Sequence, residues 1–226
     1  MKLYMERDPA PNPRRVGIYL REKGIELETV RVNIRERAHK APEHLQRNSL
    51  GQLPVLELDD GRMLCESVSI CLYLEGMFPE PPLFGRDAYE RALIDMWIRR
   101  IEFNVAIPVG LFWRHRHPLT AHLLEQHLEF GESNRVRVAK AMRWLDGEMG
   151  SRDAFIAGEA FSMADIVAVA TIDFATLIGL PVPEDCEALL GWRERMDERA
   201  SVAMPSEAQD RYRMAVAAVS SPHVVA

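Results

Sequence analysis

The sequence predicts an α/β domain followed by an all-α domain, and three observations support this prediction. Short runs of β character alternate with helical patterns through residues 1–78, as in domains that pack helices on a sheet. Residues 78–85 (FPEPPLFG) hold three prolines and a glycine, which neither a helix interior nor a central strand tolerates. Beyond them, apolar residues recur with the 3.6-residue period of helices. We assign residues 1–78 to the first domain, 79–86 to a linker and 87–226 to the second domain.

Seven elements are predicted in the first domain, in the order β-α-β-α-β-β-α. They are strands at 2–5 and 26–32, a helix through 16–20 closed by Gly24, a short helix at 41–45, two strands within 53–65, and a helix at 66–77. The pair Asp60-Gly61 lies between two apolar runs, which is a strong hairpin signal. In the last helix, Val68, Cys71, Leu72 and Leu74 are expected to face inward.

The second domain is predicted to contain long helices. Their periodic stretches run over residues 87–115, 120–149, 163–178 and 183–200. Ser162, three residues before Asp165, forms a variant of the capping box, in which side chains and backbone N–H groups pair reciprocally at a helix start. We assign this pair to folding and not to catalysis.

Composition excludes several classes of protein. Hydrophobic residues make up 47% of the chain and charged residues 27%, enough for a sizeable core and unlike a disordered chain. The net charge is −6 and no dense basic run occurs, which argues against a nucleic-acid partner. The three cysteines are odd in number and lie in apolar stretches, as expected of reduced core residues. The charged first residues and the lack of a run of about 20 apolar residues predict a cytoplasmic protein with no membrane span.

A proline at the entrance of an apolar strand is the most specific local feature. Pro54 follows Gln52 and Leu53 and precedes the run Val55-Leu56. Because proline removes a ladder hydrogen bond, it is expected where the backbone turns or stays open. A cis Pro54 would leave the N–H and C=O of Leu53 free to pair with a peptide laid alongside as an extra strand. The alternative is an ordinary turn proline.

Glu66 and Ser67 open the last helix of the first domain. The free N–H groups of a helix start favour a carboxylate, and the Ser67 hydroxyl adds a donor. Glu66 can accept a hydrogen bond from an ammonium group. The pair therefore suits the two charged ends of an amino acid, although both residues could serve only to cap the helix.

The segment NSLGQLPVLELDDGRMLCESVSICLYLE, the proline-rich linker and FSMADI resemble the glutathione transferase family, over nearly the whole chain. The resemblance implies a thioredoxin-like first domain and an all-helical second domain. It also implies that the Leu53 backbone binds the cysteinyl unit of glutathione, while Glu66 and Ser67 hold the γ-glutamyl end. Side chains that could reach the glycyl carboxylate are Gln52, His39 and Lys40, of which the last two could also be solvated loop charges.

The family must stabilise glutathione as a thiolate, since a thiol of pKa about 8.5 is mostly protonated at neutral pH. Residues 8–15 (DPAPNPRR) hold no serine, threonine or cysteine, and Tyr4 is expected to pack in the core. The closest resemblance is to the atypical yeast and bacterial type that lacks catalytic tyrosine, serine and cysteine. It implies a water held by the first helix, near Asn12, and by a histidine late in the first long helix, which is here His115. His117 is placed on the solvent side of the same turn.

The second substrate is expected to be an apolar electrophile. Its pocket is assigned to Phe112 and Trp113, whereas Trp97 and Phe103 are expected to be core residues. The resemblance implies a homodimeric detoxification enzyme with glutathione as co-substrate, no bound cofactor and no metal. Phe78 and Phe84, apolar residues of an exposed linker, hint at a partner surface. The alternatives are a glutathione-dependent disulfide reductase or peroxidase, and a non-catalytic glutathione-binding protein.

Overall fold

A computed structural model describes residues 1–6, 10–34, 36–150 and 155–203, together with Asp210 and Met214. The chain divides into two compact units, Met1–Arg91 and Ala92–Ala226. No helix in the described part of the chain is long and apolar enough to cross a membrane.

The first unit is built on a mixed four-stranded sheet of order β2-β1-β3-β4. The strands are β1 (Lys2–Met5), β2 (Glu28–Arg31), β3 (Val55–Glu57) and β4 (Met63–Cys65). β1 runs parallel to β2 and antiparallel to β3, and β3 and β4 form the hairpin predicted from Asp60-Gly61. The helices are α1 (Pro11–Lys23), α2 (Pro42–Arg47) and α3 (Ser67–Met77), with a 3₁₀ turn at Ala38–Lys40. The predicted order of elements is therefore confirmed.

α1 and α3 pack against each other. α1 begins with a proline at its first position and ends at Gly24, whose positive φ of 62° is the usual left-handed helix stop. α3 buries Ile70, Cys71 and Leu74. The prediction that Leu72 faces inward is wrong, since it is 56% exposed. Residues 70, 71 and 74 share one helix face, and position 72 is turned away from it.

Glu75 links the segment after α3 to α1. Its carboxylate accepts hydrogen bonds from the Tyr19 hydroxyl at 2.6 Å and from the Phe84 N–H at 3.2 Å, and it pairs with the Lys23 ammonium at 2.7 Å. Lys23 also donates to the carbonyl oxygens of Phe78 and Pro81. Phe84 is buried and packs edge-on against Tyr19, so the expectation that it lies exposed for a partner is wrong.

In its described residues, the second unit has only helices as regular elements. The helices are α4 (Ala88–Ile101), which begins in the first unit, α5 (Ile107–Arg116), α6 (Leu128–Met149), α7 (Met163–Leu177) and α8 (Glu187–Asp197). The predicted stretch 87–115 is interrupted by a π-helical segment at Glu102–Ala106. This segment precedes Pro108, whose missing N–H breaks a regular helical ladder.

The predicted helix at 120–149 begins only at Leu128, because the preceding residues cap α5 instead. The Thr120 hydroxyl donates to the Trp113 carbonyl at 2.7 Å, and the Gln126 amide donates to the carbonyls of Arg114 and His117 at 3.1 and 2.8 Å. These bonds satisfy carbonyl groups that a helix end leaves without partners.

Asp165 organises the start of α7. Its buried carboxylate accepts hydrogen bonds from the N–H and hydroxyl of Ser162, both at 3.0 Å, from the Ile156 N–H at 2.9 Å and from the Trp192 indole at 3.0 Å. Burial raises the pKa of Asp165, and these donors oppose that rise. The predicted capping box is present, and its contacts are those of a folding element.

Candidate active site

The Leu53-Pro54 bond is cis, which is the first of the two alternatives considered for Pro54, and it lies at the entrance of β3. The preceding carbonyl, of Gln52, is fixed by the His44 ring at 3.0 Å and the Asn48 amide at 3.2 Å. No hydrogen bond joins the backbone of Leu53 to another residue in the described part of the chain. The N–H and C=O of Leu53 are thus available to an extended peptide, which is the geometry of strand addition.

Gly51 brings the turn that carries His39 and Lys40 against this strand entrance. Gly51 has φ +57°, and a Cβ added to it would lie 2.7 Å from the His39 carbonyl oxygen. The Lys40 ammonium donates to the Leu50 carbonyl at 2.8 Å. Burial, with a smaller effect of the Lys40 charge, lowers the pKa of His39, which favours its neutral form. The structure therefore places His39 and Lys40 beside the loop that leads to Gln52.

Glu66 and Ser67 occupy the start of α3 in different ways. Ser67 is the first helical residue and is only 4% exposed, whereas Glu66 is exposed and has the positive φ of 66°. Such a backbone conformation is unfavourable for a residue with a side chain and is found preferentially at functional sites. The Glu66 side chain makes no capping bond within the described chain. Glu66 thus holds the N-cap position through its backbone carbonyl, which accepts from the Ile70 N–H at 2.9 Å, and the binding of a ligand by its side chain stays a prediction.

Arg15, which the sequence prediction of the site does not include, also reaches this helix start. Its side chain is buried in α1, and its Nη1 lies 3.5 Å from the Ser67 Oγ. A signal existed in the sequence. Arg15 is three and four residues before the buried Ile18 and Tyr19, so the helical period places it on the inward face of α1.

The start of α1 exposes one backbone donor among its first three residues. Pro11 and Pro13 have no N–H, and the N–H of Arg14 is the first to pair, with the Ala10 carbonyl at 3.2 Å. The N–H of Asn12 thus lies at the positive end of the helix dipole, with an exposed side chain beside it. Residues 7–9 of the loop lie outside the described residues.

Tyr4 packs in the core, as expected. It joins a buried cluster with Val32, Leu53 and Val55, and its hydroxyl donates to the Glu57 carboxylate at 2.6 Å. This hydrogen bond, more than burial, raises the pKa of Tyr4. Because the Tyr4 hydroxyl already donates its hydrogen to Glu57, it is a poor donor to a thiolate.

His115, in the second unit, is half-buried next to the last residue of α5. Its Nδ1 accepts a hydrogen bond from the His127 N–H at 3.4 Å, and its ring lies 5.4 Å from that of His127 and 5.5 Å from that of Phe130. Gly131 permits this approach, since a Cβ there would lie 2.7 Å from the His115 carbonyl carbon. A neutral His115 with an accepting Nδ1 carries its proton on Nε2, which is then a donor.

His117 is buried, so the prediction that it faces solvent is wrong. It is 5% exposed, its ring lies 4.5 Å from that of Trp113, and its Nδ1 accepts from the Leu119 N–H at 3.3 Å. The 3₁₀ turn at Pro118–Thr120 folds the ring inward. Burial lowers the pKa of His117 to about 4.

The two aromatic residues assigned to the second substrate differ in exposure. Phe112 is buried, with the Arg135 guanidinium 4.7 Å from its ring. Trp113 is half-buried and contacts Phe174 edge-on at 5.3 Å. Trp97 is a core residue as expected, but Phe103 is 59% exposed, so its assignment to the core is wrong.

Comparisons with known proteins agree with this geometry. Models of the glutathione S-transferase N-terminal and C-terminal domains match residues 10–77 and 125–195. Glutathione S-transferase 2 of Saccharomyces cerevisiae is 37% identical over 206 residues, which cover 89% of this chain and 88% of that protein. The crystal structure of Gtt2 from the same yeast is 38% identical, with a TM-score of 0.82 over 89% of this chain and 98% of its own. A class Gtt2 glutathione S-transferase of Vibrio parahaemolyticus is 32% identical, with a TM-score of 0.78 over 93% of this chain and 98% of its own. The resemblance to an atypical yeast and bacterial type is thereby confirmed, and the chain belongs to the glutathione S-transferase family.

Proposed function

We propose that this glutathione transferase binds reduced glutathione along Leu53, lowers the pKa of its thiol and adds the thiolate to an electrophilic, apolar small molecule. The observation that carries the binding step is that the first unit contains both an open backbone at Leu53 and the buried hydroxyl of Ser67 at a helix start. Both features lie in the first unit, Met1–Arg91.

Each part of glutathione has a complementary group in this proposal. The cysteinyl unit pairs with the Leu53 backbone, and the γ-glutamyl carboxylate accepts from Ser67 while its ammonium approaches Glu66. The glycyl carboxylate is assigned to Gln52, His39 and Lys40. Lys40 retains donors for it, since an ammonium has three and one is used on the Leu50 carbonyl.

Thiolate stabilisation is assigned to donors and not to a protein nucleophile. The N–H of Asn12 at the positive end of α1 favours a negative sulfur. His115 supplies a second donor through Nε2, acting on the sulfur through a water molecule. The hydrogen bond from His127 supports this assignment because it leaves Nε2 as the protonated nitrogen.

The second substrate is assigned to the helical domain, residues 87–226, with residues 1–78 binding glutathione and 79–86 linking the two. Trp113 is the stronger candidate for the lining because it keeps exposed surface, whereas Phe112 is buried. An aromatic lining favours an apolar electrophile.

We also propose a cytoplasmic homodimer that serves detoxification. An apolar stripe supports the dimer, since Tyr89, Met96 and Phe103 are exposed and follow one another at seven-residue spacing along α4 and the segment after it. Residues at that spacing lie on one side of a helix, and an apolar stripe of this kind marks an interaction surface. Sedimentation equilibrium of the purified protein tests it.

The function is tested by assaying the purified protein with glutathione and either a chloronitroarene or a mixed disulfide of glutathione. Turnover of the chloronitroarene is expected. Ser67→Ala should raise the KM for glutathione about tenfold, the effect of losing a hydrogen bond to a charged group. Ser69→Ala, which removes an exposed hydroxyl from the same helix, is the matched control. Turnover of the disulfide alone, or equal KM values for the two variants, would contradict the proposal.

A further inference from the structure

Two positive groups meet at the Ser67 hydroxyl. One is the Arg15 guanidinium, whose Nη1 lies 3.5 Å from Ser67 Oγ. The other is the start of α3, where the first N–H groups have no intrahelical acceptor. Arg15 and Ser67 are each only 4% exposed, so solvent screens their interaction weakly.

The Arg15 charge also acts on a second residue of α3, Cys71. Burial raises the pKa of the Cys71 thiol, and the positive charge of Arg15 opposes that rise. Cys71 lies one turn after Ser67, on the same side of the helix. The guanidinium therefore sits against the first turn of α3, beside its positive end.

A cation beside a helix start adds to the positive potential there, because both groups attract negative charge. The first turn of α3 contains no acidic residue, and Glu66 makes no capping bond within the described chain. An anion bound at Ser67 would be attracted by both positive groups at once. A carboxylate is an anion whose geometry matches the arginine guanidinium.

We infer that Arg15 is a positioning residue for glutathione, which directs the Ser67 hydroxyl towards the γ-glutamyl α-carboxylate and adds a buried positive charge beneath it. Because the Arg15 N–H occupies a lone pair of Ser67 Oγ, the hydroxyl hydrogen is free to point to the ligand. This inference rests on the proposed function, since it concerns the same glutathione site. It adds a residue of α1 to the γ-glutamyl end of the site, which is otherwise assigned to Glu66 and Ser67.

The test compares two ligands by calorimetry: glutathione, and 4-aminobutyryl-cysteinyl-glycine, which lacks only the α-carboxylate. The Kd of the analogue divided by the Kd of glutathione measures recognition of that carboxylate. This ratio does not depend on the fraction of folded protein. Arg15→Gln and Ser67→Ala should each lower the ratio about tenfold or more, and the double variant should lower it little further. Arg86→Gln removes the same charge at an exposed position and should leave the ratio unchanged.

Arg15→Lys keeps the positive charge but replaces the planar guanidinium by an ammonium. Its ratio should therefore lie between those of Arg15→Gln and the unaltered protein. If Arg15→Gln does not fold, a ratio in Arg15→Lys about threefold below that of the unaltered protein supports the inference. Equal losses of affinity for both ligands, or an unchanged ratio in Arg15→Lys and every folded Arg15 variant, would show that Arg15 only supports the fold. Failure of the unaltered protein to bind glutathione would instead overturn the proposed function.

Discussion

Gly51→Ala perturbs the close contact between Gly51 and the turn that carries His39 and Lys40, beside the entrance of β3. An alanine at φ +57° is strained by about 1–2 kcal/mol, the usual value for the left-handed helical conformation. Its Cβ would also lie 2.7 Å from the His39 carbonyl oxygen and 2.9 Å from the Lys40 Cδ and Nζ. Because a backbone atom must move, we add about 1–3 kcal/mol, typical of overpacking. The free energy of unfolding should therefore fall by about 2–5 kcal/mol.

Gly24→Ala is the matched control for this variant. Gly24 has a similar φ of +62°, but a Cβ there would meet no atom within 4 Å. It should suffer the strain alone, about 1–2 kcal/mol. Effects of the extra methyl group on the unfolded chain are common to both variants and cancel in the comparison.

Urea denaturation and calorimetric titration with glutathione provide the assay. Gly51→Ala should be about 1–3 kcal/mol less stable than Gly24→Ala, and it alone should bind glutathione more weakly, because Gln52 and Leu53 follow directly. Equal stabilities, or unchanged glutathione affinity in a folded Gly51→Ala protein, would refute the reasoning.

Three further predictions concern single side chains. Glu75→Gln should reduce stability by about 3–5 kcal/mol in urea denaturation, because the Lys23 ammonium, whose side chain is fully buried, loses its carboxylate partner. His117 should make stability fall as the pH drops from about 6.5 to about 4. In this range His117 binds a proton in the unfolded chain but stays neutral in the folded protein, because burial lowers its pKa to about 4. The loss is up to about 1.4 kcal/mol per pH unit, and thermal melts of His117→Gln across this range should lack it. Tyr4→Phe should lose about 1 kcal/mol of stability and keep its transferase rate, whereas a large loss of rate would make Tyr4 the activator.

Much of the first unit was predictable because its signals are local. Prolines, glycines and short apolar runs determine where strands and turns lie, and the order of elements follows from them. Residue types within a few positions raise the cis alternative at Pro54, and they predict the start of α3 to within one residue, at Glu66 instead of Ser67. Leu72 was misplaced because a nearly continuous apolar run hides which face is inward.

The features that sequence missed depend on contacts between distant segments. Thr120 and Gln126 lie in a stretch of helical period, but they bond the end of α5 and so end the pattern. His117 is buried by the turn that follows it. Arg15 was overlooked because a charge is normally expected at the surface, although its place on the inward face of α1 was readable.

The central claim is that this protein activates glutathione without a serine, cysteine or tyrosine donor. The most direct test is a pH titration of the bound thiol, in which the ultraviolet absorbance of the thiolate is measured at each pH. The account predicts that the pKa of bound glutathione lies at least about one unit below the ordinary thiol value of about 8.5. A bound thiol that titrates at the ordinary value would contradict it.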